Sequence, residues 1–334
     1  MLNGHGDDRT LFNKPIIADF SSNVYYDGMS AGLQQHLAGK LLKINNYPEV
    51  NAHSLQQALA GWHHCDASQV LVTNGATEAF YLIGHTFRNK TATVIVPAFA
   101  EYEDACRAND IEVRYQRWEE MTDTFETDLV WFGNPNNPTG AVLPVSQVKQ
   151  LLVKNAETVF VVDEAYIDFT TAPVSMVPFL NEYSNLIIVK SLTKTYSIPG
   201  LRLGYLLSSN EIINKVLAYK MPWSVNTLAL EAGIYITNNK TAFPIGRLLD
   251  DAKQLIQQMR NIDIAVFDTN TTFCLCKLKH RTAAELKAYL INEHGILIRD
   301  ASNFKSLGPA YFRVASQLPE HNTLLVNAIA AWYR

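Results

Sequence analysis

Short hydrophobic runs recur along the middle of the chain, and stretches with helical periodicity separate them. Mostly apolar runs, each typical of a buried strand, stand at 70–73, 93–96, 129–132, 159–162, 186–189 and 203–207. Between them, the pattern predicts helices over 78–87, 101–108 and 145–154 and one further strand over 112–115. Apolar strands separated by helices indicate a mainly parallel sheet covered on both faces. The middle of the chain is therefore predicted to form an α/β domain.

The last third of the chain has a different pattern. Beyond about residue 225 we predict helices over 228–236, 247–259, 283–294 and 320–332, and strands over 264–267, 273–277, 296–299 and 311–314. This order is typical of an α+β lobe, and the N-terminal arm has no place in the parallel sheet. We therefore predict a large domain at 36–225 and a small domain built from 1–35 and 226–334.

Composition and charge narrow the classes of function. The 334 residues carry 28 basic and 32 acidic side chains, a net charge of −4, which disfavours nucleic-acid binding and electrostatic attachment to a membrane. Charged residues make up only 18%, which indicates extensive burial, for example in an oligomer. The start of the chain is polar and acidic, and no apolar run approaches the ~20 residues of a membrane span, which predicts a cytoplasmic protein. The cysteines form no Cys-x-x-Cys pair, and we expect no metal site.

Polar residues follow the apolar runs, at the edge of a parallel sheet where ligands bind. After the first run, 74–78 offers small residues at a helix start, which suit an anion or merely cap the helix. Asp163 directly follows an apolar strand, where a carboxylate needs a cation or hydrogen-bond donors. Tyr166 can reach the same ligand. No phosphate-loop or dinucleotide glycine motif occurs, which argues against a nucleotide cofactor.

A lysine among hydroxyl groups follows the strand at 186–189. Lys194 stands next to two threonines, and Arg202 follows eight residues later, beyond Gly200 and before Gly204. Hydroxyls and an arginine are good ligands for phosphate, and a lysine in a cationic, desolvated site becomes a nucleophile toward carbonyl groups. The polar loop at 133–140, after the strand at 129–132, adds asparagines. Lysine, aspartate, asparagine, tyrosine and a phosphate site together meet the requirements of pyridoxal phosphate.

These motifs, in this order, resemble the class I/II aminotransferase superfamily, the fold-type I pyridoxal-phosphate enzymes. The matching segments are Asn137-Pro138-Thr139-Gly140, Asp163-Glu164-Ala165-Tyr166, Ser191-Leu192-Thr193-Lys194, Arg202-Leu203-Gly204 and Phe312-Arg313-Val314. The resemblance covers nearly the whole chain. It implies a large α/β domain with a mainly parallel, mixed sheet covered by helices, and a small α+β domain.

The resemblance also implies roles in holding the cofactor. Lys194 would form the Schiff base with the aldehyde, Asp163 would pair with the pyridinium nitrogen, and Asn137 and Tyr166 would hold the ring hydroxyl. The phosphate would be bound by Ser191, Thr193, Arg202 and the backbone of Ala76 and Thr77. Phe99 would stack on the ring, with core packing as the alternative.

Further residues would act on the substrate or across a homodimer. Arg313 matches the position that grips the substrate carboxylate. Tyr47 matches a tyrosine that reaches the neighbouring subunit's phosphate, although a turn residue before Pro48 is an equally good interpretation.

Two subgroups of the superfamily are most similar, histidinol-phosphate aminotransferase and, nearer, threonine-phosphate decarboxylase of cobalamin biosynthesis. The nearer resemblance rests on His5-Gly6, Asp19-Phe20-Ser21-Ser22-Asn23, Pro97-Ala98-Phe99-Ala100-Glu101-Tyr102, Met221-Pro222-Trp223-Ser224-Val225-Asn226 and Ile296-Leu297-Ile298-Arg299. It implies that His5 and Asn23 bind a substrate phosphate, and we expect Arg299 to bind substrate as well. Asp7 and Asp8 depart from the family's start and would repel a phosphate unless they point away.

The expected function is that of a pyridoxal-phosphate-dependent enzyme, a carboxy-lyase or a transaminase, acting on a small phosphorylated amino acid or amino alcohol. The first candidate is L-threonine-O-3-phosphate decarboxylation, and the alternative is histidinol-phosphate transamination with glutamate and 2-oxoglutarate. The two reactions differ in which bond at Cα breaks, which depends on one torsion of the bound substrate. A ligand-binding regulator with this fold is disfavoured, because no basic helix-turn-helix region is present.

Overall fold

A wide sheet with helices on both faces forms the larger part of the molecule. The computed structural model describes residues 14–239, 242–262 and 264–333. Its strands are β1 (Ala18–Asp19), β2 (Val70–Thr73), β3 (Thr91–Val96), β4 (Glu112–Arg117), β5 (Leu129–Gly133), β6 (Val159–Asp163), β7 (Leu186–Ser191), β8 (Gly204–Ser208), β9 (Ala265–Val266), β10 (Phe273–Lys277), β11 (Ile296–Leu297), β12 (Arg299–Asp300) and β13 (Tyr311–Ala315). The seven-stranded sheet has the order β2-β8-β7-β6-β5-β3-β4. All its neighbouring strands are parallel except β8, which runs antiparallel to both of its neighbours.

Helices cover both faces of this sheet. The helices are α1 (Ala31–Lys40), α2 (His53–His63), α3 (Gly75–Thr86), α4 (Ala100–Arg107), α5 (Val145–Lys154), α6 (Asn210–Leu217), α7 (Thr227–Asn238), α8 (Ile245–Asn261), α9 (Ala283–His294) and α10 (Pro319–Tyr333). Along β5, Val130 and Phe132 face the core under α2, α5 and α7, while Leu129 and Trp131 face the core under α3, α4 and α6. Burial on both faces explains why the central strands are apolar throughout.

A smaller antiparallel sheet and three helices form the second core. Its strand order is β12-β13-β10-β9. Leu255 of α8, Leu286 of α9 and Leu325 of α10 pack against it, together with Phe20 of the N-terminal arm. The sequence-predicted domain boundary after residue 225 stays a prediction, and α7, just beyond it, packs on α1 and α2.

One predicted strand is divided in two. The pattern at 296–299 predicts a continuous strand, whereas β11 pairs in parallel with β1 of the arm and β12 pairs antiparallel with β13. The two pieces belong to different sheets, and the buried Ile298 between them is the point of transfer. The local pattern could not show this, because both pairing partners are distant in sequence.

The carboxyl ends of β5, β6 and β7 lie side by side. The loop after β5 is held there by Asn134, whose Oδ1 accepts from the Leu143 N–H at 2.9 Å and whose amide donates to the Leu143 carbonyl at 3.1 Å. In the described residues, no helix combines the length and the apolar character that a membrane crossing requires.

Candidate active site

Two adjoining cavities open at the carboxyl ends of β5, β6 and β7, with volumes of about 370 Å³ and about 100 Å³. Both are lined by Thr77, Phe99, Asn137, Tyr166, Lys194 and Arg202. The smaller cavity adds Ala76, Asp163, Ser191 and Thr193, and the larger adds Asn23, Arg299 and Arg313. The structure thus brings together every predicted site residue that it describes except Tyr47. His5 lies outside the described residues, as do Asp7 and Asp8.

Asp163 forms an anionic end of the smaller cavity. Its Oδ2 accepts a hydrogen bond from the Tyr102 hydroxyl at 2.6 Å, and its Oδ1 accepts from the Ala165 N–H at 2.9 Å. Burial raises the pKa of Asp163 to about 6, and these two hydrogen bonds and the charge of Lys194 act in the opposite direction. At neutral pH the carboxylate is therefore mostly ionised and suited to a cationic atom of a ligand.

At the start of α3, the smaller cavity presents a group of donors to an anion. The buried hydroxyls of Ser191 and Thr193 lie 2.8 Å apart. Gly75, the first residue of α3, has a φ of +77°, and a Cβ there would lie 2.6 Å from Nη2 of Arg202. Glycine therefore lets the guanidinium lie against the helix N-terminus, where backbone N–H groups favour an anion. Hydroxyls, helix start and arginine together are the donor set of a phosphate site.

Arg313 joins three parts of the chain at the wall of the larger cavity. From β13, its Nη1 donates to Oδ1 of Asn137 in the loop after β5, and its Nη2 donates to the carbonyl of Ser21 in the N-terminal arm. Its Nε is buried with no partner among the described residues. Burial lowers the pKa of Arg313 to about 10, with Arg299 acting in the same direction and Tyr166 against it. Arg313 thus remains a cation that lacks a complete set of acceptors.

Arg299 lies directly opposite Arg313 in the antiparallel pair of β12 and β13. Its Nη2 donates to Oδ1 of Asn303 at 2.9 Å, and the side chain lies over the Phe304 ring. Residues opposite each other on paired strands share a face of the sheet, so both guanidinium groups face the same cavity. Asn23 also lines this cavity, and both polar atoms of its buried amide are without partners among the described residues. Of these groups, Nδ2 of Asn23 and Nε of Arg313 are donors that an anionic ligand could use, and Oδ1 of Asn23 is an acceptor.

Two contacts at the site were not predicted from sequence. The hydrogen bond from Tyr102 to Asp163 joins α4 to β6. Tyr102 stands at helical spacing three residues after Phe99 and ends a segment that resembles the decarboxylases, but neither signal pointed to Asp163. The other contact is Lys305, which lines the larger cavity and lies over the Tyr115 ring of β4 at 4.4 Å.

Tyr47 does not reach the cavities within a single chain. It is 85% exposed, and its ring centroid lies 5.4 Å from that of Trp223. Its predicted action across a dimer stays a prediction. Among the described residues, no group of three His, Cys, Asp or Glu side chains could hold a metal ion.

Comparisons with known proteins agree with this geometry. The sequence model of the family described as aminotransferase class I and II matches residues 15–329. The crystal structure of L-threonine-O-3-phosphate decarboxylase from Porphyromonas gingivalis is 38% identical with a TM-score of 0.92, covering 95% of this chain and 99% of that chain. Threonine-phosphate decarboxylase of Salmonella typhimurium is 30% identical over 94% of this chain and 90% of its own length. Histidinol-phosphate aminotransferase of Caldanaerobacter subterraneus is 29% identical over 87% and 85%. The predicted fold class and the prediction of an enzyme are confirmed, and the chain belongs to the class I and II aminotransferase family.

Proposed function

We propose that the protein is a pyridoxal-phosphate-dependent enzyme acting on a small phosphorylated amino acid, with L-threonine-O-3-phosphate decarboxylation as the first candidate. The observation that carries the substrate class is the pair Arg299 and Arg313, buried side by side in the wall of the larger cavity. Two adjacent cations favour a ligand with two anionic groups. A phosphorylated amino acid supplies a carboxylate and a phosphate.

The residues of the smaller cavity fit pyridoxal phosphate. The buried Asp163 suits a protonated ring nitrogen, Asn137 and Tyr166 suit the ring hydroxyl, and Phe99 suits the face of the ring. The donor set at the start of α3 suits the phosphate, and Lys194 lies where both cavities meet, as a lysine serving cofactor and substrate must. When bound, the cofactor withdraws electrons from Cα of the amino substrate, so that a bond at Cα can break.

The chain's own residues determine which bond breaks. Asp163 holds the positive charge on the ring nitrogen, and Arg299 and Arg313 bind the two anionic groups and so fix the orientation of the substrate. If the bond between Cα and the carboxylate breaks, CO₂ leaves and Cα takes up a proton, which Lys194 Nζ is placed to deliver. If Lys194 Nζ instead removed the Cα proton and returned it to the cofactor, the amino group would stay with the cofactor and the outcome would be transamination.

Histidinol-phosphate transamination is the second candidate. The larger cavity carries apolar residues as well as cations, among them Val94, Val96 and Phe304. Such a wall suits an imidazole side chain better than the methyl group of threonine. The aminotransferase from Caldanaerobacter subterraneus supports this second candidate, and the two decarboxylases support the first. The first candidate would place the enzyme in cobalamin biosynthesis.

A homodimer belongs to the same proposal. Exposed apolar side chains are concentrated on one segment and one nearby turn, namely Leu41, Leu42, Ile44, Tyr47 and Val50, with Met221 and Trp223. The ring of Tyr47 contacts that of Trp223, so the two groups form one continuous surface. An exposed apolar patch of this kind suits a protein interface, and a second copy would bring Tyr47 to the neighbouring site.

The test uses the purified holoenzyme with each substrate. CO₂ release from threonine phosphate supports the first candidate, and glutamate formation from histidinol phosphate and 2-oxoglutarate the second. Turnover of neither would refute the phosphorylated substrate. An absorbance band above the protein region, lost in Lys194→Ala, reports the cofactor independently.

A variant tests the substrate class itself. We expect Arg299→Met to lower kcat/KM for the phosphorylated substrate by about 10- to 150-fold, the value of a hydrogen bond to a charged group. It should also raise the Ki of competing inorganic phosphate. Arg114→Met is the matched control, since Arg114 is half-exposed on the edge strand β4 and pairs with Glu112. Equal effects of the two substitutions would refute the role of Arg299.

A further inference from the structure

A buried tyrosine stands behind the carboxylate of Asp163. We propose that Tyr102 is a positioning residue, which fixes the orientation of the Asp163 carboxylate and keeps it ionised for the ring nitrogen of the cofactor. This inference rests on the proposed function, because it concerns how the chain holds pyridoxal phosphate. It adds a residue for which no role was predicted from sequence.

The hydrogen bonds at Asp163 are the first observation that supports this role for Tyr102. Tyr102 donates to Oδ2 at 2.6 Å, and the Ala165 N–H donates to Oδ1 at 2.9 Å. Each oxygen thus has one donor from the protein, and each keeps acceptor capacity for a ligand. Two donors on different oxygens fix the plane of the carboxylate, which neither could do alone.

The packing of the Tyr102 ring is the second observation that supports this role. Its centroid lies 5.0 Å from that of Phe80 in an edge-to-face contact, 5.9 Å from that of Trp131 in a stacked contact, and 6.0 Å from that of Phe99. The side chain is only 2% exposed. Three aromatic neighbours leave the ring no alternative position, so the hydroxyl is held at Asp163 before any ligand binds.

The charges around Asp163 are the third observation that supports the role of Tyr102. Two charged side chains act on the buried carboxylate of Asp163: Lys194 favours its ionised form, and Glu164 disfavours it. The hydrogen bond from Tyr102 also favours the ionised form. Burial and the neighbouring carboxylate raise the pKa of Tyr102 well above its usual value, so it remains a donor. Without this donor, the pKa of Asp163 would rise from about 6 toward neutrality. A protonated Asp163 could no longer stabilise a positive charge on the ring nitrogen.

The test compares Tyr102→Phe with Tyr205→Phe. Tyr205 is also buried, and its hydroxyl also forms a hydrogen bond, with Nε2 of His63 at 2.7 Å. Neither tyrosine lines either cavity, but only Tyr102 donates to Asp163. Apo-protein is titrated with pyridoxal phosphate, and melting temperatures confirm that each variant is folded. We expect Tyr102→Phe to weaken binding by about tenfold at neutral pH and less at alkaline pH, where Asp163 is ionised without help. Tyr205→Phe should change the affinity by less than about twofold.

A double-mutant cycle separates this role from simple packing. In the Asp163→Asn background, Tyr102→Phe should cause no further loss of affinity, because its effect passes through the carboxylate. The ¹⁵N chemical shift of ring-labelled pyridoxal phosphate should show a less protonated nitrogen in Tyr102→Phe than in the wild type. If Tyr102→Phe does not fold, Tyr102→His takes its place and should retain part of the affinity, because its ring N–H is also a donor.

The outcomes that overturn the inference are distinct from failure of the proposed function. Equal affinities of Tyr102→Phe and Tyr205→Phe, or the same loss with and without the Asp163 carboxylate, would reduce Tyr102 to a packing residue. If Tyr102→His is used, the inference is overturned when this substitution causes the same loss of affinity in the Asp163→Asn background as in the wild type. A wild-type protein that does not bind pyridoxal phosphate would instead refute the proposed function.

Discussion

Replacing Gly75 with alanine should displace the guanidinium of Arg202 and weaken the binding of pyridoxal phosphate. A Cβ at this position would lie 2.6 Å from Nη2 of Arg202. The end of an arginine side chain moves more readily than the backbone of a helix start, so the guanidinium rather than α3 should give way. The phosphate site would then keep its hydroxyls and lose its fixed positive charge.

The expected magnitude follows from the interaction that is lost. A hydrogen bond to a charged group contributes about 1.5–3 kcal/mol, which corresponds to a dissociation constant that is about 10- to 150-fold higher. The substitution also places a side chain at a φ of +77°. That conformation costs about 1–2 kcal/mol of stability for a non-glycine residue, wherever it occurs.

Gly28→Ala separates the two effects. Gly28 has a φ of +81°, and a Cβ there would meet nothing within 4 Å. Both variants should lose similar stability in urea titrations, but only Gly75→Ala should lose affinity when the apo-protein is titrated with pyridoxal phosphate. Equal affinities of the two variants would refute the assignment of Arg202 to the cofactor phosphate, as would a crystal structure of Gly75→Ala with the guanidinium in place.

Three further predictions concern charge and assembly. Burial raises the pKa of Asp163 from 3.8 to about 6, so the contribution of this one carboxyl to stability should fall by about 3 kcal/mol as the pH rises from about 4 to about 6. The stability difference between the apo-forms of the wild type and Asp163→Asn should change by that amount in urea titrations, and a constant difference would contradict the assignment. Lys305→Met should lower kcat/KM for the phosphorylated substrate about three- to fivefold and leave kcat unchanged. High ionic strength should remove this difference from the wild type. A change in kcat would contradict a role of Lys305 that is confined to binding. Leu42 is 81% exposed, and Leu42→Asp should shift the protein from dimer to monomer in sedimentation velocity. Val153 on α5 is 67% exposed, and Val153→Asp should leave the dimer intact. A monomeric wild type would refute the proposed dimer.

The central sheet could be predicted because its physical cause is local. Strands buried on both faces must be apolar throughout, and this pattern can be seen in β5, β6 and β7 without knowledge of the rest of the chain. Residues just after such strands lie at one edge of the sheet, so Asp163 and Lys194 could be placed near each other. The prediction of the smaller cavity's lining follows from this rule together with the family motifs.

The contacts between distant parts of the chain could not be predicted in the same way. The guanidinium of Arg313 meets Asn137 and Ser21, which are separated from it by 176 and 292 residues. Nothing in the local pattern around 296–299 shows that the strand divides between two sheets, because the division depends on the arm that pairs with β11. The facing positions of Arg299 and Arg313 likewise follow from strand register, which sequence spacing does not determine.

The arrangement of positive charge suggests how one enzyme can handle two phosphate groups. One centre, at the start of α3, combines Arg202 with hydroxyls and helix N–H groups. The other combines Arg299 with Arg313 and the amide of Asn23, which has no partner in the part of the chain that the structure describes. Lys194 borders both cavities, so the proposed cofactor, bound through it, would fill the first centre and would leave the second for substrate. It follows that inorganic phosphate should compete with pyridoxal phosphate for the apo-protein but with substrate for the holoenzyme. Competition with the cofactor in both forms would mean that the two centres are not separate sites.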